Sequence, residues 1–188
     1  MIALSVIFTI FVLGSSAPKS NKGSRRIARY GIYTALAIAL GLLESFLPDF
    51  FLPGMKIGFA NVAILVILLS EGFFPALSIS LIRVVLISLL RGNFLSMGGW
   101  MSFAGALASV LAMALLVKLL KGFSPVSASV FGSFCHVLAQ MGVCLLYVHS
   151  LEMLFYLPFL LISAFLSGVL IGIIAKRVSK ATMMERAR

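Results

Sequence analysis

Three stretches of this chain, Gly92 to Val117, Gly122 to Leu151 and Met153 to Ala175, contain no Asp, Glu, Lys or Arg. Each exceeds the ~20 residues that an α-helix needs to cross about 30 Å of hydrocarbon. Backbone polar groups inside lipid must be satisfied within the protein, so such stretches fold as transmembrane helices. Composition agrees: 62% of the residues are apolar, 11% are charged, and the mean hydropathy is +1.18. A soluble domain carries about 25% charged residues. This chain has too little charge to coat a water-facing surface, which excludes secreted and cytosolic enzymes as a class.

Isolated charges punctuate the remaining apolar sequence. Tyr30 to Leu43 continues past Glu44 to Leu47 before Pro48 stops it, and Gly72 to Ile82 continues past Arg83 to Leu90, so each reads as a span with one internal charge. Ile57 to Ser70 would be only about 21 Å long as a helix. It reads as a short or tilted span lengthened from the Pro53-Gly54 turn. The prediction is an all-α, polytopic membrane protein: a six-helix transmembrane bundle over residues 26–178, with an apolar segment and basic linker at 1–25 and a basic tail at 179–188. Loops are short and no internal repeat is visible. Met1 to Gly14 is apolar and precedes Ser15-Ser16-Ala17, which resembles a cleavage site without a basic n-region. It reads as an extra anchor or a start site placed upstream, with a signal peptide the weakest of the three.

The net charge of +10 is distributed by side. Taking the stretch before the first span as cytoplasmic, that side holds Lys19, Lys22, Arg25, Arg26, Arg29, Lys118, Lys121, Lys176, Arg177, Lys180, Arg186 and Arg188. The other side holds Lys56 and Arg91. Lys and Arg accumulate on the cytoplasmic side of membrane proteins, so this bias predicts a multi-pass cell-membrane protein with both flanks inside. Basic residues clustered at span ends orient a chain in a lipid bilayer; they do not imply a nucleic-acid partner.

Several chemistries lack their residues. There is no G-x-x-x-x-G-K-[ST] loop for nucleotide phosphates. Asp49 is the single aspartate, whereas enzymes that build polyprenyl chains use clustered aspartates to hold magnesium against a diphosphate. His136 and His149 lack acidic or thiol neighbours at ligand spacing, so no metal site and no cofactor is expected. Cys135 and Cys144 in one helix would be roughly 13 Å apart in rise, too far for a disulfide. No Ser-His-Asp set is credible, and the chain is not expected to be an enzyme.

Polar groups placed at depth are more informative. Arg83 falls near the middle of the third span, where a charge must face a partner or a wet cavity. An ion pair with Glu44 and attraction of an anionic ligand are compatible readings. On the fifth span Ser129, Ser133, His136, Gln140, Cys144 and Tyr147 fall within an arc of about 80°. Interhelical hydrogen bonding is the plain reading for the serines, and a ligand cavity is favoured for His136 and Gln140. The loop between the first two spans has turn residues Pro53 and Gly54, a close-approach Gly58, and donors Lys56 and Asn61. It reads either as a lid or as an interfacial aromatic belt. Small residues recur every fourth position at Gly31, Ala35 and Ala39 in the first span and at Ala164, Gly168 and Gly172 in the last. Such ladders let helices touch backbone to backbone.

Taken together, Pro53-Gly54-x-Lys56-x-Gly58-x-x-Asn61, Leu81-Ile82-Arg83-Val84, Arg91-Gly92-Asn93, Ser102-x-Ala104-Gly105 and His136-x-x-x-Gln140 resemble the Gx transporter family, also catalogued as heptaprenyl diphosphate synthase component I. The resemblance covers about Arg26 to Lys176. That family is similar in turn to the six-helix, substrate-binding S components of energy-coupling factor (ECF) vitamin transporters. Their first helix docks through Ala-x-x-x-Ala on a transmembrane coupling subunit with two ATPases, and Ala35-x-x-x-Ala39 matches. The resemblance implies an importer subunit for a small or vitamin-like organic compound. The donors Lys56, Asn61, Arg83, His136 and Gln140, converging from separate segments with two or three of them cationic, predict an anionic ligand, and Arg91 and Asn93 of the shared motif join them as candidate binding residues. The alternative is a noncatalytic membrane subunit associated with a heptaprenyl or polyprenyl diphosphate synthase or with quinone synthesis.

Overall fold

The computed structural model describes the backbone of residues 22–46, 59–119 and 124–186. Six α-helices follow in order: α1 (Lys22–Phe46), α2 (Phe59–Glu71), α3 (Phe73–Leu90), α4 (Met97–Leu119), α5 (Pro125–Val148) and α6 (Leu157–Arg186), with a 3-10 turn at Leu151–Tyr156 before α6. No strand occurs among the described residues. α1, α3, α4, α5 and α6 are long and apolar enough to cross a membrane, and α2 is a shorter apolar helix. The chain is therefore an all-α, polytopic membrane protein. The N-terminal apolar segment and the 47–58 loop lie outside the described residues.

The short helix is central. Every residue from Val62 to Leu68 is buried, around its whole circumference, because α1, α3, α4 and α6 all pack on it. A helix that is apolar all round is one with neighbours on all sides. The main apolar core gathers on it: Tyr33, Leu36, Ala37 and Leu40 of α1, Ala76 and Ile79 of α3, Val110 and Met113 of α4, and Ile171, Ala175 and Val178 of α6. At 13 residues, α2 is about 20 Å long, so the longer helices around it cover the membrane thickness it does not reach.

Its junction with α3 is a single residue. Gly72 has φ 96°, a backbone conformation that glycine adopts without a Cβ clash. Arg29 Nη1 of α1 meets Glu71 Oε1 at 3.0 Å beside this turn, tying the start of α1 to the end of α2. The α3–α4 connection is equally determined. Gly92, at φ 65°, ends α3; its N–H donates to Leu89 O and that of Asn93 to Ser88 O, a Schellman-type close. Ser96 then caps α4 by accepting from Gly99 N–H at 3.4 Å. A Cβ added at Gly99 would lie 2.5 Å from the carbonyl oxygens of Asn93 and Phe94, so the loop folds down onto the first turn of α4 only because that position has no side chain.

α5 starts with Ser124 as cap and Pro125 in the first turn, and ends at His149 in the left-handed conformation. α6 docks on α5 through glycines: a Cβ at Gly168 would lie 2.7 Å from Val130 Cα, and one at Gly172 would collide with Val126 Cα. The ladder in the last span is thus an internal helix–helix seam. On its outer side α6 exposes Phe159, Ile162, Phe165, Leu166, Leu170 and Ile173, the apolar face that a membrane helix presents to lipid.

Candidate functional site

A cavity of about 310 Å³ opens at the end of the bundle where α1, α3 and α5 finish and α2, α4 and α6 begin. α3 packs on α1, α2 and α4, whereas α6 packs on α5 and α2. The cavity lies between α3 and α6, which both line it without packing extensively on one another.

α3 supplies one wall. Arg83, Val84, Ile87, Ser88 and Arg91 recur at three- and four-residue spacing and so share a face. Arg83 is only 7% exposed, and its Nε has no hydrogen-bond partner among the described residues. Glu44 of α1 lines the same cavity. Arg91, exposed, stands at the rim, and the Gly92 turn swings Asn93 back over the opening.

The second wall belongs to α5 and α4. Ser133, His136, Val137 and Gln140 line it from α5, and Gly98, Met101 and Ser102 from α4. Gly105 of α4 determines how these helices meet. A Cβ there would lie 2.8 Å from His136 Cε1, 2.9 Å from its Nε2 and 3.0 Å from Gln140 Cγ. The imidazole therefore rests on bare backbone, which gives a physical meaning to the Ser102-x-Ala104-Gly105 pattern. The polar face expected along α5 divides in three. Ser129 is buried against α6 at Gly172, Ser133 to Gln140 face the cavity, and Tyr147 is exposed.

The third wall is α6, with Leu160, Ser163, Ala164, Ser167 and Ile171. The sequence reading passed over Ser163 and Ser167. Their signal is a polar pair one turn apart in an otherwise apolar span, beside the small-residue ladder Ala164, Gly168 and Gly172. Gly41 and Ser88 were missed as well.

Of the residues singled out from sequence, Asn61, Arg83, Arg91, Asn93, His136 and Gln140 come together around this one cavity, from α2, α3, the α3–α4 loop and α5. Lys56, Pro53, Gly54 and Gly58 lie outside the described residues. Gly31, Ala35 and Ala39 are not part of the site. They form an exposed stripe on α1, and nothing stands within 4 Å of a Cβ added at Gly31. No group of three or more His, Cys, Asp or Glu side chains able to hold a metal occurs among the described residues.

The geometry defines a class: a helical-bundle membrane protein with a polar, arginine-lined cavity at one end. Within that class, the chain belongs to the heptaprenyl diphosphate synthase component I family, whose model matches residues 33–178. That stretch contains every cavity residue described above. No curated protein and no solved structure proved similar to the chain.

Proposed function

We propose that this protein is the substrate-binding membrane subunit of a transporter, comparable to an ECF S component. It takes a small anionic or vitamin-like organic compound into the cavity between α3 and α6 and depends on a separate coupling subunit with ATPases for energy. One observation carries this reading: Arg83, buried in the cavity wall with an unsatisfied Nε. A buried guanidinium with an open donor is costly unless something anionic completes it. Asn61, His136 and Gln140 add polar groups on other sides, and convergence from separate helices is what a small-molecule pocket requires. In this reading the protein catalyses nothing. The cavity faces outward if the excess of Lys and Arg on the flanks sets the orientation. The test is native mass spectrometry of protein released from mild purification: a small acid retained by the parent and missing from Arg83→Gln supports the reading, and an empty parent cavity argues against it.

The family's name supports a second reading, a noncatalytic membrane component of a heptaprenyl diphosphate synthase. Here the cavity or the basic flanks would present a diphosphate to a soluble partner. Cross-linking in intact cells separates the two, since capture of a prenyl synthase favours this reading and capture of a membrane coupling subunit favours transport.

A further inference from the structure

Three serine hydroxyls that line the cavity are committed as donors to their own helices. On α6, Ser163 Oγ donates to Leu160 O at 2.9 Å and Ser167 Oγ to Ala164 O at 3.2 Å; on α4, Ser102 Oγ donates to Gly98 O at 2.8 Å. A hydroxyl has one proton and a carbonyl can only accept, so while it holds its helix bond each of these side chains presents lone pairs to a ligand. The two arginines of the α3 wall have the opposite character. Arg83 and Arg91 carry donors and no acceptor. Both α3 and α6 line the cavity, so the two arginines on α3 and the two serine hydroxyls of α6 come from different walls of it, with Ser102 on α4 and the Glu44 carboxylate of α1 as further acceptors.

From this division we infer that the ligand is a small organic acid with two unlike ends: an anionic oxygen group that meets Arg83 and Arg91, and a far end bearing N–H or O–H donors for Ser163 and Ser167. The inference rests on the reading of the cavity as an organic-anion site and adds the second end. It also separates ligand classes. A prenyl diphosphate has only acceptors at its head and hydrocarbon beyond, and brings no donor to α6. An amino- or hydroxy-substituted acid satisfies both walls, and about 310 Å³ is at the small end of ligand cavities.

The experiment uses the full chain in lipid nanodiscs and two isosteric probes, para-aminobenzoate and para-methylbenzoate, which differ only in an amino group replaced by a methyl. Dissociation constants are measured for the parent, for Ser163→Ala/Ser167→Ala, and for Arg83→Gln. The amino probe is expected to bind the parent about tenfold more tightly than the methyl probe, as one gained hydrogen bond allows. The double serine variant should erase that preference while still binding both, and Arg83→Gln should weaken both together. Equal binding of the two probes by the parent, or a preference that survives loss of both serines, overturns the two-ended ligand and leaves the anion site standing. Binding of neither probe, or binding of both that is indifferent to Arg83→Gln, overturns the anion-site reading itself.

Discussion

Arg83 is the residue on which the site turns. On insertion scales an arginine at the centre of a span costs about 2.5–3.5 kcal/mol, and here the side chain stays buried rather than reaching for the interface. Replacing it by Gln keeps a polar side chain of similar reach and removes the charge. Binding of an organic acid should then weaken by about 1.5–3 kcal/mol, the range for a hydrogen bond to a charged group. His136→Ala should cost less. Titration of purified, monodisperse variants measures both, and unchanged affinity in each would return Arg83 to a structural role beside Glu44. Gly105 makes a second residue-scale prediction. Because a Cβ at this position would press on His136 and Gln140, Gly105→Val should push both into the cavity. Overpacking of this kind costs about 1–3 kcal/mol, so the melting temperature should fall and ligand affinity should fall with it. A variant that melts lower yet binds normally would mean that His136 and Gln140 are not part of the binding surface.

Among the elements, two ladders of small residues have different surroundings. Gly168 and Gly172 admit the backbone of α5, while Ala164, one turn earlier, lines the cavity; Gly31, Ala35 and Ala39 stand exposed on α1. In lipid no hydrophobic force draws helices together, so close backbone packing matters more than in water. Gly168→Leu should therefore separate α5 from α6 and yield aggregated protein on size-exclusion chromatography. Ala39→Trp should leave the fold and ligand binding by the isolated protein intact. If the exposed stripe is the docking face for a coupling subunit, that same substitution abolishes transport in cells, and transport that persists unchanged removes the stripe from consideration.

For the whole molecule, the consequential variable is which end faces out. Twelve basic residues against two predict termini inside and a cavity mouth outside, by the bias of Lys and Arg towards the cytoplasmic side. In a background with Cys135 and Cys144 changed to Ala, a membrane-impermeant maleimide should label Leu95→Cys in intact cells and Lys180→Cys only after permeabilisation. Both positions are exposed, at opposite ends of the bundle. The reverse pattern would turn the cavity to the cytoplasm and favour the reading as a partner of a soluble synthase.

The sequence by itself determined the six helices seen among the described residues, their approximate limits and their all-α membrane character. Those properties follow from local quantities: apolar length against bilayer thickness, and charge at the ends of each run. It also picked out Arg83, Arg91, His136 and Gln140, because a polar group within or at the end of an apolar run stands out without knowledge of its neighbours, Asn61 as a donor in a turn-rich loop, and Asn93 through the Arg91-Gly92-Asn93 pattern of the family resemblance. Only the tertiary structure decided that these six share one cavity, that the short α2 is enclosed on all sides, and that Ser163 and Ser167 belong to the wall while Ser129 belongs to a seam. The physical reason is that a helix face acquires its role from what packs opposite. Ser129 and Ser133 are one turn apart on the same helix and both pack against α6, at Gly172 and Gly168, and only the position of α6 lets Ser133 reach the cavity as well.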